Sequence, residues 1–140
     1  MTEAGAGWPL ARLVALAEGS PGEEVCGLLV RAGGVVEPWP MQNVAPAPAT
    51  AFELAPTELL AAMRRLDGER GELVAVYHSH LAGGAGLSTR DLAGALAGGA
   101  PIFPGVAQVV VALEGGRAYR ILVHRWPGRP SRRPSPGLGE

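Results

Sequence analysis

The stretch Leu73–Asp91, LVAVYHSHLAGGAGLSTRD, contains a candidate strand, a glycine-rich loop and the start of a helix in succession. Its first eight residues alternate in polarity and include β-branched side chains, which predicts a central strand that ends before the loop Ala82–Gly86. Because successive side chains of a strand point to opposite faces, His78 and His80 should share one face and Ser79 the other. Two imidazoles are therefore expected to converge where the strand ends.

Asp91 is the candidate for a third ligand beside these histidines. Neutral imidazole suits Zn²⁺, and a catalytic zinc site has three protein ligands and an open position for water. Asp91 is one of only two aspartates and follows His80 by eleven residues, across a loop that can fold back. With Ser88 included, the spacing is His-x-His-x7-Ser-x2-Asp, for which about 3 × 10⁻⁵ chance occurrences are expected in this composition. Ser88 and Asp91 also fit a helix capping box, which is compatible with a metal site but leaves the histidines unexplained.

This pattern resembles the signature of the JAMM (MPN+, Mov34-type) zinc metallopeptidases, in which an upstream Glu precedes His-x-His-x7-Ser-x2-Asp. In the prokaryotic stand-alone branch the Glu is commonly followed by x-Cys-Gly-Leu-Leu, and Glu24–Leu29 reads EVCGLL. The similarity continues through Asn43 and the segment Phe52–Pro56, and it covers about residues 8–125.

The resemblance implies three zinc ligands, which are His78, His80 and Asp91. It implies that Glu24 is the general base that activates the zinc-bound water and then protonates the leaving amine. The Ser88 hydroxyl would stabilise the oxyanion. The Glu-x-Cys-Gly spacing of the family selects Glu24. Without that spacing, Glu23 would be as good a candidate for the general base. Ser79 points away from the metal and is expected to be structural.

Other positions near the motif carry alternatives. Leu81 and Leu87 stand where the family usually has Pro, so the glycine-rich loop is expected to be less restrained than in the family. Cys26 is expected to be a small buried hydrophobe, and its alternative role is that of a thiolate acting as an inhibitory fourth ligand or redox switch. His124 is expected to be a surface or packing residue.

The implied fold is an α/β (α+β) domain with helices on a curved, mixed and mostly antiparallel sheet, layered as in cytidine deaminases. The residue pattern gives the order α-β-β-(β)-α-β-α-β-β. The expected elements are a helix at 8–18, a hairpin of strands 25–31 and 35–39, a loop at 40–50, a short strand at 51–54, a helix from Pro56 that Gly68 stops, the strand 73–80, a helix from Ser88 to about Leu96, and strands 106–113 and 118–124. The buried face of the second helix is expected to contain Leu59, Leu60, Met63 and Leu66.

Composition excludes several reaction classes. The 140 residues include 12 Arg and no Lys, so a Walker A loop, a pyridoxal Schiff base and a Ser-Lys dyad are absent as usually built. A net charge of −1 makes nucleic acid and membrane unexpected partners. One cysteine and an N-terminus unlike a secretory signal favour a cytoplasmic location. The length fits one domain, 1–126, followed by a flexible Pro/Arg-rich tail at 127–140.

The resemblance therefore predicts a zinc-dependent, deubiquitinase-like metallopeptidase or isopeptidase. The expected substrate is a ubiquitin-like or sulfur-carrier protein with a Gly-Gly tail. The alternatives are a catalytically silent MPN-type interaction module and a RadC-like protein. The complete set of motif residues argues against the first. The Glu24-x-Cys-Gly segment and the lack of a basic face argue against the second.

Overall fold

The computed structural model describes residues 7–88, 91, 96–97, 100–101, 103 and 105–125. Its elements are α1 (Leu10–Glu18), β1 (Cys26–Ala32), β2 (Val35–Met41), α2 (Pro56–Glu69), β3 (Glu72–His80), β4 (Leu96–Ala97), β5 (Ala100–Pro101), β6 (Ala107–Glu114) and β7 (Arg117–His124). Within these ranges, no helix has the length and hydropathy needed to cross a bilayer.

A five-stranded sheet in the order β2-β1-β3-β6-β7 forms the centre of the fold. The pair β3 and β6 is parallel, and the other three pairs are antiparallel. β4 and β5 form a separate antiparallel pair. The expected architecture, a mixed and mostly antiparallel sheet flanked by helices, is confirmed. β3 is the middle strand, as its sequence predicts, so its histidines lie at the centre of the sheet.

The two faces of the sheet are covered by different helices. Against α1, the buried side chains include Leu13, Ala17, Leu29, Tyr77 and Val109. Against α2, they include Leu28, Val30, Ala62, Leu66 and Val76. Because side chains alternate along β3, His78 and His80 continue the face on which Val76 lies. The metal-binding candidates are therefore on the α2 side of the sheet.

The connection between β2 and α2 differs from its prediction. β2 continues to Met41 instead of ending at Trp39, and it includes Pro38 and Pro40. Proline is tolerated there because β2 is an edge strand, where one side of the backbone needs no ladder partner. The short strand expected at 51–54 is reduced to an isolated bridge between Asn43 and Leu54.

α2 ends later than expected. The helix passes through Gly68 to Glu69, and Arg70 forms the C-cap with a left-handed φ of 55°. The next residue, Gly71, is closely packed, because a Cβ there would lie 2.6 Å from Leu66 Cδ2 and 3.1 Å from the Arg31 carbonyl oxygen. The positive φ is carried by a non-glycine residue, Arg70.

The buried face of α2 is also shifted from its prediction. Leu60 was expected on it but is 52 % exposed, whereas Ala62 is buried. Leu59 and Met63 are partly buried against the same core, and Leu66 is buried.

The helix expected from Ser88 to about Leu96 does not include Leu96 itself. Asp91 is helical, but Leu96 belongs to β4. Residues 89–90 and 92–95 lie outside the described residues, as does the tail expected at 127–140.

Candidate metal centre

Three donor atoms meet at the C-terminal end of β3. His78 Nε2 and His80 Nε2 are 3.0 Å apart. Asp91 Oδ2 lies 3.2 Å from His78 Nε2 and 2.9 Å from His80 Nε2. A carboxylate oxygen of Glu24 lies within 4.8 Å of both imidazole nitrogens. All four side chains are buried, so the glycine-rich loop does bring Asp91 back to the histidines.

The spacing of the three donors fits one metal ion. With metal–ligand bonds of about 2.0–2.1 Å, tetrahedral ligands lie about 3.3–3.4 Å apart. The three distances observed here, 2.9, 3.0 and 3.2 Å, are slightly shorter, so a small outward movement would admit an ion of this size. Two imidazole nitrogens and one carboxylate oxygen form a donor set that suits a borderline-soft divalent cation.

A second hydrogen bond orients His80. Its Nδ1 donates to the carbonyl oxygen of Gly84 at 2.8 Å. In the neutral ring the proton is therefore on Nδ1, and the lone pair of Nε2 points towards His78 Nε2 and Asp91 Oδ2. The pKa of His80 is raised, first by its hydrogen bond to Asp91 and against the effect of burial.

His78 is oriented by packing. It is fully buried, and its Nδ1 has no hydrogen-bond partner in the described part of the chain. The ring of Phe52 stacks on it at a centroid distance of 4.2 Å. Burial lowers the pKa of His78, although Asp91 opposes this effect, so the neutral form that binds metals is favoured.

Asp91 and Ser88 form the reciprocal hydrogen bonds of a capping box. The Ser88 N–H donates to Asp91 Oδ2, and the Asp91 N–H donates to Ser88 Oγ, both at 3.0 Å. The same Oδ2 faces the histidines, so the capping geometry and the donor cluster coexist. Burial acts to raise the pKa of Asp91, but its hydrogen bonds to His78 and His80 outweigh this and hold the pKa well below its usual range.

Glu24 is the fourth group of the centre. Its Oε1 is buried and has no hydrogen-bond partner among the residues described. Burial raises the pKa of Glu24 to about 7, with the charge of His80 opposing this effect and that of Asp91 adding to it. Glu23 is exposed to solvent. The tertiary structure therefore distinguishes two adjacent glutamates that position alone does not.

Ser79 lies on the opposite face, as alternation predicts. Its Oγ accepts the Val25 N–H at 2.8 Å, and its own N–H donates to the Val25 carbonyl oxygen at 3.0 Å. Because Val25 follows Glu24, this pair of bonds ties the backbone beside Glu24 to the strand that carries the histidines.

The glycine-rich loop is held by a residue whose contact the sequence did not reveal. His124, at the end of β7, donates from Nε2 to the carbonyl oxygen of Ala85 at 3.0 Å. Ala85 is buried, and Leu87 packs against the same small cluster. Although the loop lacks the family's two prolines, the His80 and His124 hydrogen bonds restrain adjacent carbonyls, those of Gly84 and Ala85. His124 was expected only to pack or face solvent, because a contact across 39 residues leaves no local signal.

Cys26 is buried directly beside the centre. It pairs with His78 across β1 and β3 and is only 1 % exposed. Burial raises the pKa of its thiol to about 12, and Glu58 and Glu24 act in the same direction. A neutral thiol results, which favours the role of a small buried hydrophobe over that of a thiolate ligand.

Several known proteins are similar to this chain in sequence or in fold. A desampylase from Haloferax volcanii is 30 % identical over 115 residues, which are 80 % of this chain and 76 % of that protein. A protein of Thermus thermophilus named "Probable TtuB-protein conjugate cleaving protease" is 45 % identical over 53 residues, which are 38 % of this chain and only 36 % of that relative.

Two solution structures of bacterial proteins resemble the fold. The one from Desulfitobacterium hafniense has a TM-score of 0.61 and 25 % identity, and the match covers 79 % of this chain and 75 % of that one. The one from Salinibacter ruber has a TM-score of 0.55 and 24 % identity, with 81 % and 75 % covered. The family described as prokaryotic homologs of the JAB domain matches residues 10–123. This chain therefore belongs to that family of prokaryotic JAB-domain homologs.

Proposed function

We propose that this protein is a zinc-dependent peptidase or isopeptidase that cleaves at the C-terminal tail of a ubiquitin-like or sulfur-carrier protein. The observation that carries the proposal is the convergence of His78, His80 and Asp91 within 3.2 Å of one another, beside the buried Glu24. The names of its two relatives, a desampylase and a probable conjugate-cleaving protease, support the substrate class.

The two histidines and Asp91 would hold the ion, and the fourth position would remain open. Bound Zn²⁺ supplies Lewis acidity, which lowers the pKa of a water molecule and polarises the scissile carbonyl. Neutral His80 has the required tautomer, because its Nδ1 proton is engaged by the Gly84 carbonyl oxygen. Little reorganisation of these side chains is then needed when the metal binds.

Glu24 would transfer the proton. Glu24 Oε1 has no hydrogen-bond partner in the described part of the chain. With a pKa near 7, this carboxyl can both accept a proton from the attacking water and release it to the leaving amine at neutral pH. Its burial keeps bulk water from competing for this proton. Glu24 is thus proposed as the general base and then the general acid.

Ser88 would stabilise the developing charge on the substrate oxygen. Its Oγ accepts the Asp91 N–H, which orients the hydroxyl and leaves its own proton available to donate. Ser88 is exposed, so a substrate carbonyl can approach it. A positioned donor of this kind contributes roughly 10²–10³ in rate in other hydrolases.

The test uses a β-grasp carrier protein extended after its Gly-Gly tail by a short reporter peptide, with cleavage followed by intact mass. The zinc-loaded wild type is expected to release the reporter, whereas Glu24→Gln should be at least about 100-fold slower. Glu23→Gln is the matched control and should retain full activity. Zinc binding without cleavage of this fusion, or of an isopeptide-linked carrier conjugate, would favour a silent interaction module.

A further inference from the structure

The side chain of Asn43 uses its full hydrogen-bonding capacity. Its Nδ2 donates to the carbonyl oxygens of Glu24 and Ala51, each at 2.9 Å. Its Oδ1 accepts the N–H groups of Ala45 and Glu53, each at 3.0 Å. Two donors and two acceptor sites are the whole inventory of a primary amide. Nδ2 also lies 3.5 Å from the Pro48 carbonyl oxygen. The four shorter contacts from one side chain indicate a structural junction between distant backbone segments.

One of these contacts reaches the backbone of Glu24. Asn43 Nδ2 binds the Glu24 carbonyl oxygen, and the Glu24 N–H donates to the Pro48 carbonyl oxygen at 2.8 Å. Pro48 belongs to the loop of residues 42–55, which we call the Asn43 loop. Both backbone polar groups of Glu24 are therefore fixed by this loop. The carboxylate itself makes no hydrogen bond from Oε1 within the described residues, so its position depends on its backbone.

Two other hydrogen bonds of Asn43 hold the backbone on both sides of Phe52. Asn43 Nδ2 binds the Ala51 carbonyl oxygen, and Asn43 Oδ1 binds the Glu53 N–H, so both neighbours of Phe52 are tied to one amide. Phe52 in turn stacks on His78, with an angle of 19° between the ring planes. A metal-binding histidine usually gains its orientation by donating its second ring N–H to an acceptor. His78 has no such acceptor among the residues described, so its orientation depends on this stack.

We infer that Asn43 is a positioning residue for the metal centre, which holds the general base Glu24 through its backbone and the ligand His78 through Phe52. It touches neither the substrate nor the metal. It sets the spacing between two groups from different segments, Glu24 just before β1 and His78 in β3. An isosteric Leu would leave two N–H groups and two carbonyl groups unpaired, and Asp would place a carboxylate against two carbonyl oxygens.

The first test measures metal binding alone, so it does not depend on the proposed function. Co²⁺ is titrated into the metal-free protein, and its visible absorption bands give the Kd. We expect Asn43→Ala to bind Co²⁺ about 10-fold more weakly, which is the lower end of the effect of lost supporting contacts around metal ligands. Thr50→Ala, an exposed change in the Asn43 loop, should leave the Kd unchanged. Where Asn43→Ala fails to fold, Asn43→Asp, which keeps the shape and both accepted N–H bonds, replaces it.

A double-mutant cycle separates positioning from general loss of stability. In the Phe52→Leu background, Asn43→Ala should weaken Co²⁺ binding by less than about 2-fold, because the stack of Phe52 on His78 is already lost. A full 10-fold effect in both backgrounds, or an unchanged Kd in Asn43→Ala, would overturn the inference.

The kinetic arm rests on the proposed function. With the carrier fusion as substrate, Asn43→Ala should lower kcat about 10- to 100-fold at saturating Zn²⁺, with KM within about 2-fold of the wild-type value. In the Glu24→Gln background, Asn43→Ala should lower kcat little further. Equal losses in both backgrounds would contradict action through Glu24. Absence of cleavage by the wild type would count against the proposed function, while the Co²⁺ titration would still decide the role of Asn43.

Discussion

The ring of Phe52 lies almost parallel to that of His78, with centroids 4.2 Å apart and planes 19° apart. His80 is oriented differently, because its Nδ1 donates to the Gly84 carbonyl oxygen. The two candidate imidazole ligands are thus fixed by different means, one by aromatic packing and the other by a hydrogen bond. Removing either support should affect metal affinity more than global stability.

Phe52→Leu should weaken metal binding. Leucine preserves most of the apolar volume but not the flat surface that aligns His78, so we expect the Kd for Zn²⁺ to rise about 3- to 10-fold. A competition titration with a chromophoric chelator measures this change. Phe103→Leu is the control, because Phe103 packs against the core on the α2 side of the sheet. Equal Kd values for the two variants would show that the stack of Phe52 on His78 does not contribute to zinc affinity.

Loss of either a histidine or the aspartate should abolish zinc retention. Elemental mass spectrometry of purified protein should find near one zinc per chain in the wild type and close to none in His78→Ala or Asp91→Ala, because two remaining ligands do not form a closed structural or catalytic site. Asp67→Ala, a change of the only other aspartate, should retain the metal, since Asp67 is exposed on α2. Full zinc content in Asp91→Ala would remove Asp91 from the ligand set.

Glu24→Gln should stabilise the metal-free protein at alkaline pH. The pKa of Glu24 is raised from 4.5 to about 7, so between these values the folded state holds a proton that the unfolded state has lost. The contribution of this group to stability therefore falls as pH rises from 4.5 to 7. Glutamine has no charge to bury. We expect the difference in unfolding free energy between variant and wild type to grow by about 1–3 kcal/mol from pH 5 to pH 8.

Urea denaturation in the presence of a chelator, at both pH values, measures this effect. Glu23→Gln is the matched control, because it makes the same substitution at an adjacent, exposed side chain. A pH-independent difference for Glu24→Gln would mean that the Glu24 carboxylate is adequately solvated in the folded state.

His124→Leu should loosen the glycine-rich loop. The change leaves the carbonyl oxygen of the buried Ala85 without its partner, which should cost about 1–2 kcal/mol of unfolding free energy. Limited proteolysis should then cut within 82–86 faster than in the wild type. His124→Gln, whose amide can donate to the same carbonyl, should recover part of the protection. Unchanged cleavage in His124→Leu would show that the loop is held by its apolar contacts alone.

Two glycine substitutions should have effects of opposite sign. A Cβ at Gly27 would lie 2.4 Å from the Trp39 carbonyl oxygen and 2.6 Å from Tyr77 Oη, so Gly27→Ala should destabilise the protein by about 3 kcal/mol or more. Gly68 lies inside α2 with open space around its Cβ position, so Gly68→Ala should stabilise it by about 0.5–1 kcal/mol. Thermal denaturation should place the two Tm values on either side of the wild-type value.

Most elements of the fold could be predicted because their signals are local. The alternation along β3 and the Gly33-Gly34 turn of the first hairpin predict structures that the molecule contains. The errors arose where tertiary context outweighs local preference. An edge position lets β2 extend through Pro38 and Pro40, and α2 continues through Gly68 until the left-handed C-cap at Arg70.

At the candidate site, the sequence predicts the metal-binding side chains but not the residues that hold them in place. The donors stand out because chemistry restricts the residue types that can bind a metal or transfer a proton. The supporting contacts of Phe52 and His124 involve ordinary stacking and a backbone carbonyl oxygen, which many residue types can provide. Asn43 was part of the family resemblance, but its four hydrogen bonds require the folded loop.

The sequence alone indicated the family, the order of the two main helices and of the five strands of the central sheet, the donors of the candidate metal site and the faces of β3. Periodicity and spacing are properties of the chain itself. The tertiary structure decided how deeply Glu24 is buried beside the histidines, what state its carboxyl favours, and what holds each imidazole. Those properties depend on burial and on contacts between residues far apart in the chain. Glu23 and Glu24 have the same side chain, and only the fold makes one exposed and the other buried.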